Sequence, residues 1–370
     1  MKITKAKTPQ KPKKYLWILS TLLPLLGLSG VGTYQFTGQS WTLVIPLLFI
    51  YLVIPGLDLL FSTDESNPDE RQITSLEHNA FYNWVLYLML PLHLLVFMTL
   101  IYFMVTQPLD VWQQALLLLT LGVFGGLAVN LGHELGHKKD RLSKMLAKLS
   151  LATGAYGHFN IEHNAGHHRQ VATPEDSASA RLGESIYRFA LREYPGGIKR
   201  AWSIETQRLG RQGKRWYAFD NQILQAYAMT VMIYAGMTVW LGWSALMIMM
   251  LHAPIVWWQL TSANYIEHYG LLRQKRDNGQ YQRCEPRHSW NSNHLISNLV
   301  LFHLQRHSDH HANPARHYQS LRHFAEAPQL PTGYMGMFLL AYVPPLWFRV
   351  MDEKLLKMHD GDRSLINCMH

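Results

Sequence analysis

Nine of the 20 histidines in this 370-residue chain fall into four short clusters. Residues three or four positions apart share one face of a helix, so the spacing predicts that His163 and His167 point the same way. Histidine is the commonest metal ligand in proteins. The clusters therefore predict a metal site built from His133, His137, His163, His167, His168, His268, His307, His310 and His311.

The number of clustered histidines predicts two metal ions rather than one. Nine ligands are too many for one ion, whereas two ions with four or five ligands each would use them all. Neutral imidazoles favour iron, copper, nickel or zinc over magnesium or calcium. The two cysteines, Cys284 and Cys368, form no CxxC pair, which excludes a zinc ribbon or an iron–sulfur site. Residue types alone leave the choice among the four metals open.

Two other classes of function compete with a redox enzyme. Residues 133–137 read HELGH, which matches the zinc-protease pattern H-E-x-x-H with glutamate as general base. An intramembrane zinc metalloprotease would need three protein ligands and one open position, so it would leave most of the clustered histidines unused. A metal transporter would need ionisable residues inside its spans, and the apolar segments of this chain contain few.

Long apolar segments position the histidines. Apolar residues make up 48% of the chain, and they gather in runs of about 20, the length that crosses about 30 Å of hydrocarbon as a helix. Six spans are predicted, over 15–34, 41–61, 81–105, 111–131, 222–241 and 243–263. His133 and His268 directly follow two of these runs, so those helices are expected to continue past the bilayer surface. A seventh run, 333–350, contains Pro344 and Pro345 and is expected to be interfacial or re-entrant.

The distribution of positive charge predicts the orientation. All 34 lysines and arginines lie in the N-terminal tail, the loop near 62–80, the segment 132–221 and the tail from 264. Because cytoplasmic loops are enriched in positive charge, both termini and all four histidine clusters are predicted to be cytoplasmic. The net charge of +9 then follows from topology and requires no nucleic-acid partner.

The predicted fold class is an all-α integral membrane protein, with six transmembrane helices and a cytoplasmic helical cap that carries a histidine-rich dimetal site. The predicted order is a basic tail, helices 1–4, a cytoplasmic segment with the first two histidine clusters, helices 5 and 6, and a cytoplasmic C-terminal segment with the remaining ligands. These segments cover residues 1–14, 15–131, 132–221, 222–263 and 264–370.

Longer motifs around the histidines make a family resemblance specific. They are HELGHKKD, NIEHNAGHHRQVATPEDSASAR, NYIEHYGLLRQK, WNSNHLISNLVLFHLQRHSDHHANPARHYQSLR and LPTGYMGMF. On these motifs, the chain resembles the membrane-bound alkane 1-monooxygenase (alkane hydroxylase) family over nearly its whole length. It is more distantly similar to xylene monooxygenases and membrane fatty-acid desaturases. Ala165 and Ala178 depart from the expected pattern, and neither is a predicted ligand.

The resemblance implies a non-haem diiron enzyme in which the nine histidines bind two irons. It would hydroxylate the terminal carbon of medium-chain n-alkanes with O2, giving 1-alkanols. Electrons would come from reduced rubredoxin, itself reduced by a separate NAD(P)H-dependent rubredoxin reductase, because the chain has no motif for a haem, flavin or nicotinamide. The implied location is the inner (cytoplasmic) membrane. A xylene monooxygenase or fatty-acid desaturase activity is the alternative within the superfamily.

Further residues are predicted around this centre. Residues near the ligands are expected to orient the imidazoles; these are Glu134, Glu162, Glu267, Asp309 and His294. A bulky residue in the second span, Ile50 or Tyr51, is expected to limit the length of the alkane. Rubredoxins tend to be acidic, and the basic residues expected to dock one are Arg211, Lys214 and Arg215.

Overall fold

The computed structural model describes residues 13–61 and 63–369. Nearly all of the predicted basic tail, 1–14, therefore lies outside the described residues. The described chain is built from helices, and its extended segments form only isolated β-bridges. The prediction of an all-α fold is confirmed.

Within the described residues, six helical segments are long and apolar enough to cross a membrane, which confirms the predicted number of spans. Numbered here as spans one to six, they are Lys14–Thr37, Ser40–Leu60, Ala80–Thr106, Val111–Gly136, Gln222–Leu241 and Trp243–His268. Spans four and six extend beyond the apolar runs that predict them. They reach His133 and His268 without a break, as expected.

The first two spans are not continuous α-helices. Span one mixes 3-10 and α geometry, and span two contains a π-helical stretch. Their pieces are Lys13–Leu16, Trp17–Leu22, Leu23–Leu28 and Ser29–Thr37, then Ser40–Val44, Ile45–Leu48, Phe49–Val53 and Ile54–Leu60. Pro24, Pro46 and Pro55 stand at the starts of such pieces. Proline has no N–H to donate, and the first turn of a helix leaves that group unpaired in any case.

Shorter helices fill the segments between and after the spans. Span two is followed by Glu70–Glu77, and span four by Arg141–Thr153, Phe159–Ile161, Glu162–His167, His168–Gln170 and Ile186–Arg211. Span six is followed by Pro286–His288, Leu295–Val300, His307–Ala312, Tyr318–Ser320, Tyr334–Ala341, Pro344–Met358 and Arg363–Leu365. The apolar run at 333–350 thus forms parts of two short helices, of which the first packs on span six. Its proline pair begins the second helix instead of breaking one.

Glycines let spans four and six approach each other closely. Gly125 and Gly126 on span four face span six, and a Cβ atom added at Gly126 would lie 2.6 Å from the Cβ of Gln259. Small residues at such crossings are typical of helix packing in membranes, because they allow close contact between backbones. This crossing fixes the relative positions of the two helix ends that carry His133 and His268.

We expect Gly126→Ala to destabilise the protein by about 1–3 kcal/mol, because the added methyl group overpacks the crossing. The matched control is Gly236→Ala on span five, where an added Cβ would meet nothing within 4 Å and alanine favours the helix. Thermal unfolding in detergent should show a lower midpoint for Gly126→Ala alone. Equal midpoints for the two variants would contradict the close crossing.

Candidate metal centre

All nine clustered histidines come together where spans four and six end. Two groups of four have ring nitrogens that lie within 4.8 Å of one another. The first group is His133, His137, His163 and His310, and the second is His167, His268, His307 and His311. His168 joins the first group, because its Nε2 lies 3.0 Å from Nε2 of His163 and 3.1 Å from Nε2 of His310. The nine therefore divide into five and four.

The distances between ring nitrogens fit ligands of a shared ion. The Nε2 atoms of His133 and His310 lie 3.0 Å apart in the first group. In the second group, Nε2 of His307 lies 3.1 Å from that of His268 and 2.8 Å from that of His311. With metal–nitrogen bonds of about 2.1 Å, two ligands at right angles have nitrogens about 3.0 Å apart. The residues present therefore fit two metal ions.

The second histidine cluster has a geometry that the spacing did not predict. The segment Glu162–His167 is π-helical, and a π-turn bonds residues five apart instead of four. His163 consequently faces the same group as His168, while His167 points into the other group. The expectation that His163 and His167 point the same way rests on α-helical geometry and is wrong. The wider turn lets one short segment supply both groups.

The helix His307–Ala312 also supplies both groups. His307 and His311 belong to the second group, and His310 belongs to the first. The two groups are neighbours, because the ring centroids of His168 and His311, one from each group, lie 4.3 Å apart. Two ions held by these groups would therefore be adjacent.

Burial disfavours the charged form of six of these imidazoles. His137 and His168 are half-buried, and the other seven are buried. Burial lowers the pKa of His137 to about 3. Burial, together with neighbouring imidazoles, holds the pKa well below its ordinary value for His163, His168, His307, His310 and His311. Metals bind neutral imidazole, and protons compete weakly for nitrogens of such low pKa.

A carboxylate behind one ligand orients its ring. Nδ1 of His167 donates a hydrogen bond of 2.8 Å to Oδ2 of Asp176. Nε2 of His167 is buried and has no hydrogen-bond partner among the described residues. A carboxylate in this position fixes the tautomer of a ligand histidine and raises its basicity. The orphaned Nε2 is therefore presented to the second group as a donor.

Sequence reasoning missed Asp176, because it lies nine residues after His167 instead of beside a ligand. Its side chain also accepts from the hydroxyl of Ser179 at 2.6 Å and pairs with Arg200 at 2.8 Å. Burial raises the pKa of Asp176, but His167 and Arg200 outweigh burial and hold that pKa far below its usual range. The carboxylate is therefore charged. The one signal in the sequence is the acidic pair at 175–176, within the motif that carries the second cluster.

Glu134 and Glu162, both expected to orient ligands, contact other groups. Glu134 accepts a hydrogen bond of 3.3 Å from the backbone N–H of Tyr318, and Glu162 pairs with Arg200. In a zinc protease Glu134 would be the general base beside the metal. Its contact with Tyr318 gives that alternative no support.

Asp309 and His294 also contact groups other than ligand imidazoles. Asp309 pairs with Arg316 at 2.6 Å and accepts from the backbone N–H of Arg322 at 2.8 Å. Nδ1 of His294 lies 2.9 Å from the hydroxyl of Ser292. Asp309 thus holds the loop that follows the fourth histidine cluster.

Glu267 does contact a ligand, but on the side that faces the cluster. Its Oε2 lies 3.2 Å from Nε2 of His307, the same nitrogen that approaches His268 and His311. Glu267 therefore lies at the edge of the second group and not behind an imidazole.

An apolar cavity extends from the spans to the histidine cluster. One end is lined by His133, His163, His307 and Glu267. The walls come from spans two, four and six and from the helix Tyr334–Ala341. They include Ile50, Val123, Leu127, Leu260, Ala263, Met335 and Phe338. A long apolar molecule could lie in this cavity with one end at the cluster.

Of the two residues expected to limit substrate length, Ile50 lines the apolar cavity and Tyr51 does not. Ile50 is buried and lines the apolar cavity. Tyr51 is not part of the cavity wall; its hydroxyl donates to Oε1 of Gln259 at 2.9 Å. Gln259 is itself a wall residue, so Tyr51 acts on the cavity only through that side chain.

A basic cavity adjoins the first group of histidines. It includes His137, and its positively charged residues are Lys138, Lys139, Lys144, Lys148 and Arg208. The residues expected to dock rubredoxin are exposed but do not line this basic cavity; they are Arg211, Lys214 and Arg215. Of these, Lys214 pairs with Asp220. The chain therefore offers two positive surfaces on this side.

Comparison with known proteins finds relatives over nearly the whole chain. Alkane 1-monooxygenase 1 of Alcanivorax borkumensis and the alkane 1-monooxygenase of Ectopseudomonas oleovorans are each 50% identical over 355 residues, which cover 96% of this chain and 88% of each relative. The chain belongs to the alkane 1-monooxygenase family. The xylene/toluene monooxygenase hydroxylase component of Pseudomonas putida is 27% identical over 358 residues, 93% of this chain and 92% of that protein. The resemblance drawn from the motifs is confirmed.

A wider family model, described as fatty acid desaturase, matches residues 110–341. This region begins beside span four and contains all nine clustered histidines. The chain thus also belongs to this wider family, because the match covers more than half of its length. The matched region is the part of the chain that builds the candidate metal centre.

Removing the carboxylate behind His167 should weaken metal binding. We expect Asp176→Asn to lower the metal affinity of the second group by 10- to 100-fold, the usual effect of losing such a partner. Metal content per chain, measured by mass spectrometry during titration with a chelator, checks this. The matched control is Glu175→Gln, an exposed neighbour that contacts Tyr281. Identical chelator midpoints for both variants would show that Asp176 does not support the site.

Proposed function

We propose that this chain is a non-haem diiron monooxygenase that hydroxylates the terminal carbon of medium-chain n-alkanes to 1-alkanols, with O2 and electrons from reduced rubredoxin. The observation that carries the proposal is the junction of nine converging imidazoles with an apolar cavity between membrane spans. A metal site for water-soluble substrates would not need such a cavity. The substrate class is supported by the names of relatives that share half of the sequence.

The histidines would hold the two irons in the division that the structure suggests. Five imidazoles would bind one iron, from His133, His137, His163, His168 and His310, and four the other, from His167, His268, His307 and His311. Imidazole nitrogens suit iron among the divalent metals. When bound, the two irons would supply the activation of O2, and the protein would supply binding and orientation.

The apolar cavity would bind and orient the alkane. Transfer of each CH2 group out of water contributes about 0.8 kcal/mol, and an alkane offers no polar group for recognition. The side chains of Ile50, Leu127 and Phe338 would hold the chain, with its terminal carbon at the end lined by His133 and His307. The same apolar walls would exclude water from the reacting carbon.

Electrons would reach the centre from a separate rubredoxin, reduced in turn by its NAD(P)H-dependent reductase. Complementary charge steers such encounters, and both positive surfaces suit an acidic donor. The basic cavity is the better placed, because it includes the candidate ligand His137. The exposed residues Arg211, Lys214 and Arg215 would extend the same positive field.

We place the histidine-bearing segments 132–221 and 264–370 in the cytoplasm, together with both termini, and the spans in the inner membrane. The support is the charge distribution. The connections after spans one, three and five, at 38–39, 107–110 and 242, contain no lysine or arginine. The metal centre and both positive surfaces would then face the compartment that holds the electron donor.

The test combines metal content with product analysis. Detergent-purified protein loaded with iron-57 should hold close to two irons per chain, with Mössbauer spectra of nitrogen-rich sites. With octane, O2, NADH, rubredoxin and its reductase, it should form 1-octanol, and omission of rubredoxin should abolish the product. His310→Ala should lose iron and product together, because it removes a ring nitrogen that lies within 3.1 Å of those of His133 and His168.

Other results would redirect the proposal. One zinc and no iron, in protein that was not stripped during purification, would favour a hydrolase. Oxidation of xylene methyl groups without oxidation of octane would indicate the xylene-type activity, and an alkene product would indicate a desaturase.

The length of the accepted alkane should depend on Ile50. Ile50→Ala enlarges the cavity and should shift the product profile to longer alkanes, whereas Ile50→Phe should shift it to shorter ones. The matched control is Leu52→Ala on the same span, where the side chain is 65% exposed on the outside of the bundle. Gas chromatography of products from an alkane mixture checks this. A profile that Ile50→Ala leaves unchanged would show that the alkane does not reach this wall.

A further inference from the structure

Hydroxylation consumes protons at a site that is enclosed by apolar groups. The overall reaction is RH + O2 + 2e− + 2H+ → ROH + H2O, so each turnover needs protons as well as electrons. The clustered imidazoles would be occupied as metal ligands, and the walls of the substrate cavity are mostly apolar. Protons therefore need a route of their own.

A small polar cavity lies on the other side of span six from the apolar cavity. Its polar lining comes from Tyr156, His158, Glu162, Ser177, Glu193, Tyr194 and Asn264. Leu260 and Asn264 of span six line both this cavity and the apolar one, and so form the wall between them. Asn264 is the polar residue in that wall.

Glu193 connects the polar cavity to this wall. It is buried on the helix Ile186–Arg211, outside the spans. Its Oε1 accepts a hydrogen bond of 2.6 Å from Nδ2 of Asn264, and its Oε2 has no hydrogen-bond partner among the described residues. The nearby carboxylates Glu162 and Glu184 pair with arginines, whereas Glu193 has no ion pair within the described chain. A buried, unpaired carboxyl group favours its neutral, protonated form.

We propose, on the basis of the monooxygenase function above, that Glu193 relays protons from the polar cavity to the metal centre. Asn264 holds Oε1, so Oε2 is the oxygen that gains and loses the proton. The neutral acid would pass its proton through water alongside Asn264 to the oxygen atom that leaves as water. The resulting carboxylate would be reprotonated from water in the polar cavity. Electrons come from rubredoxin, so the relay moves protons only.

The surroundings of Glu193 suit a relay at neutral pH. Burial raises the pKa of Glu193 to about 7, and the charge of Glu162 adds to the rise, against lowering by the polar and positive groups nearby. A carboxyl group with a pKa near the working pH can both give and take a proton. The groups that face it are Arg192 and Tyr194 on its own helix, Glu162 on the π-helical segment, Thr261, Asn264 and Glu267 on span six, and Tyr156 and His158 in the polar cavity.

The first test is Glu193→Gln in the full protein, reconstituted in bilayers with rubredoxin and its reductase. Glutamine keeps the shape and can still accept from Asn264, so the iron content and the KM for octane should not change. The kcat should fall by about 100-fold, the size of one acid–base contribution, and NADH oxidation should be diverted to hydrogen peroxide. The wild-type kcat should decline above about pH 7 as Glu193 loses its proton, and the variant should lack this decline.

A second variant tests whether raising the pKa of Glu193 moves the pH at which kcat declines. The hydroxyl of Thr261 can donate a hydrogen bond to the Glu193 carboxylate once that group ionises, which lowers the pKa of Glu193. Thr261→Val removes this hydroxyl, so the decline in kcat should move to higher pH without disappearing. Infrared difference spectra between about pH 6 and pH 8 should show a protonated carboxyl band in the wild type that Glu193→Gln lacks. The infrared band needs no turnover.

The outcomes separate the relay from the proposed function. Unchanged kcat and pH dependence in Glu193→Gln, with 1-octanol still formed, would overturn the relay alone. Absence of 1-octanol from iron-loaded wild type with rubredoxin would overturn the monooxygenase function and the relay together. If Glu193→Gln does not accumulate or loses iron, Thr261→Val decides: a decline that stays in place would refute the relay, and a shift to higher pH would support it.

Discussion

The arrangement of this protein depends on bringing nine imidazoles close together and removing most of their surface from water. Burial disfavours the protonated form of histidine, and each neighbouring imidazole disfavours it further. The pKa is accordingly well below its ordinary value for six of these histidines outside the spans, His137, His163, His168, His307, His310 and His311. Such a cluster offers many donor nitrogens and no negative charge. It therefore suits the binding of two metal ions.

Delivering nine rings to one place requires rigid supports from distant parts of the chain. Spans four and six continue past their apolar runs and bring their terminal histidines to the same end of the bundle. Two short segments, Glu162–His167 and His307–Ala312, each supply histidines to both groups. The glycine-lined crossing of spans four and six is therefore part of the metal site, because a shift at Gly126 would move His133 relative to His268.

The sequence predicted the features that depend on a regular pattern of residue types along the chain. Runs of about 20 apolar residues predicted the six spans, and close spacing of histidines predicted which residues converge. Local geometry was harder, because His163, His167 and His168 have the same spacing whether the segment is α- or π-helical. Contacts between distant residues were harder still. Nothing in the sequence pairs Asp176 with His167, and adjacency to a predicted ligand favoured Glu134, whose hydrogen bond comes from the backbone of Tyr318.

The alkane, the electron donor and the protons of the proposed reaction differ in polarity, and the structure has a separate environment for each. The apolar cavity lies between the spans, the basic cavity includes His137, and the polar cavity lies behind span six. A connection that let bulk water into the apolar cavity would be harmful, because water beside the alkane would expose the reactive centre to side reactions. Span six divides the apolar cavity from the polar one, with Leu260 facing both and Asn264 as the polar point in the wall. A single polar side chain in an otherwise apolar partition allows a proton to pass while the alkane and bulk water stay apart.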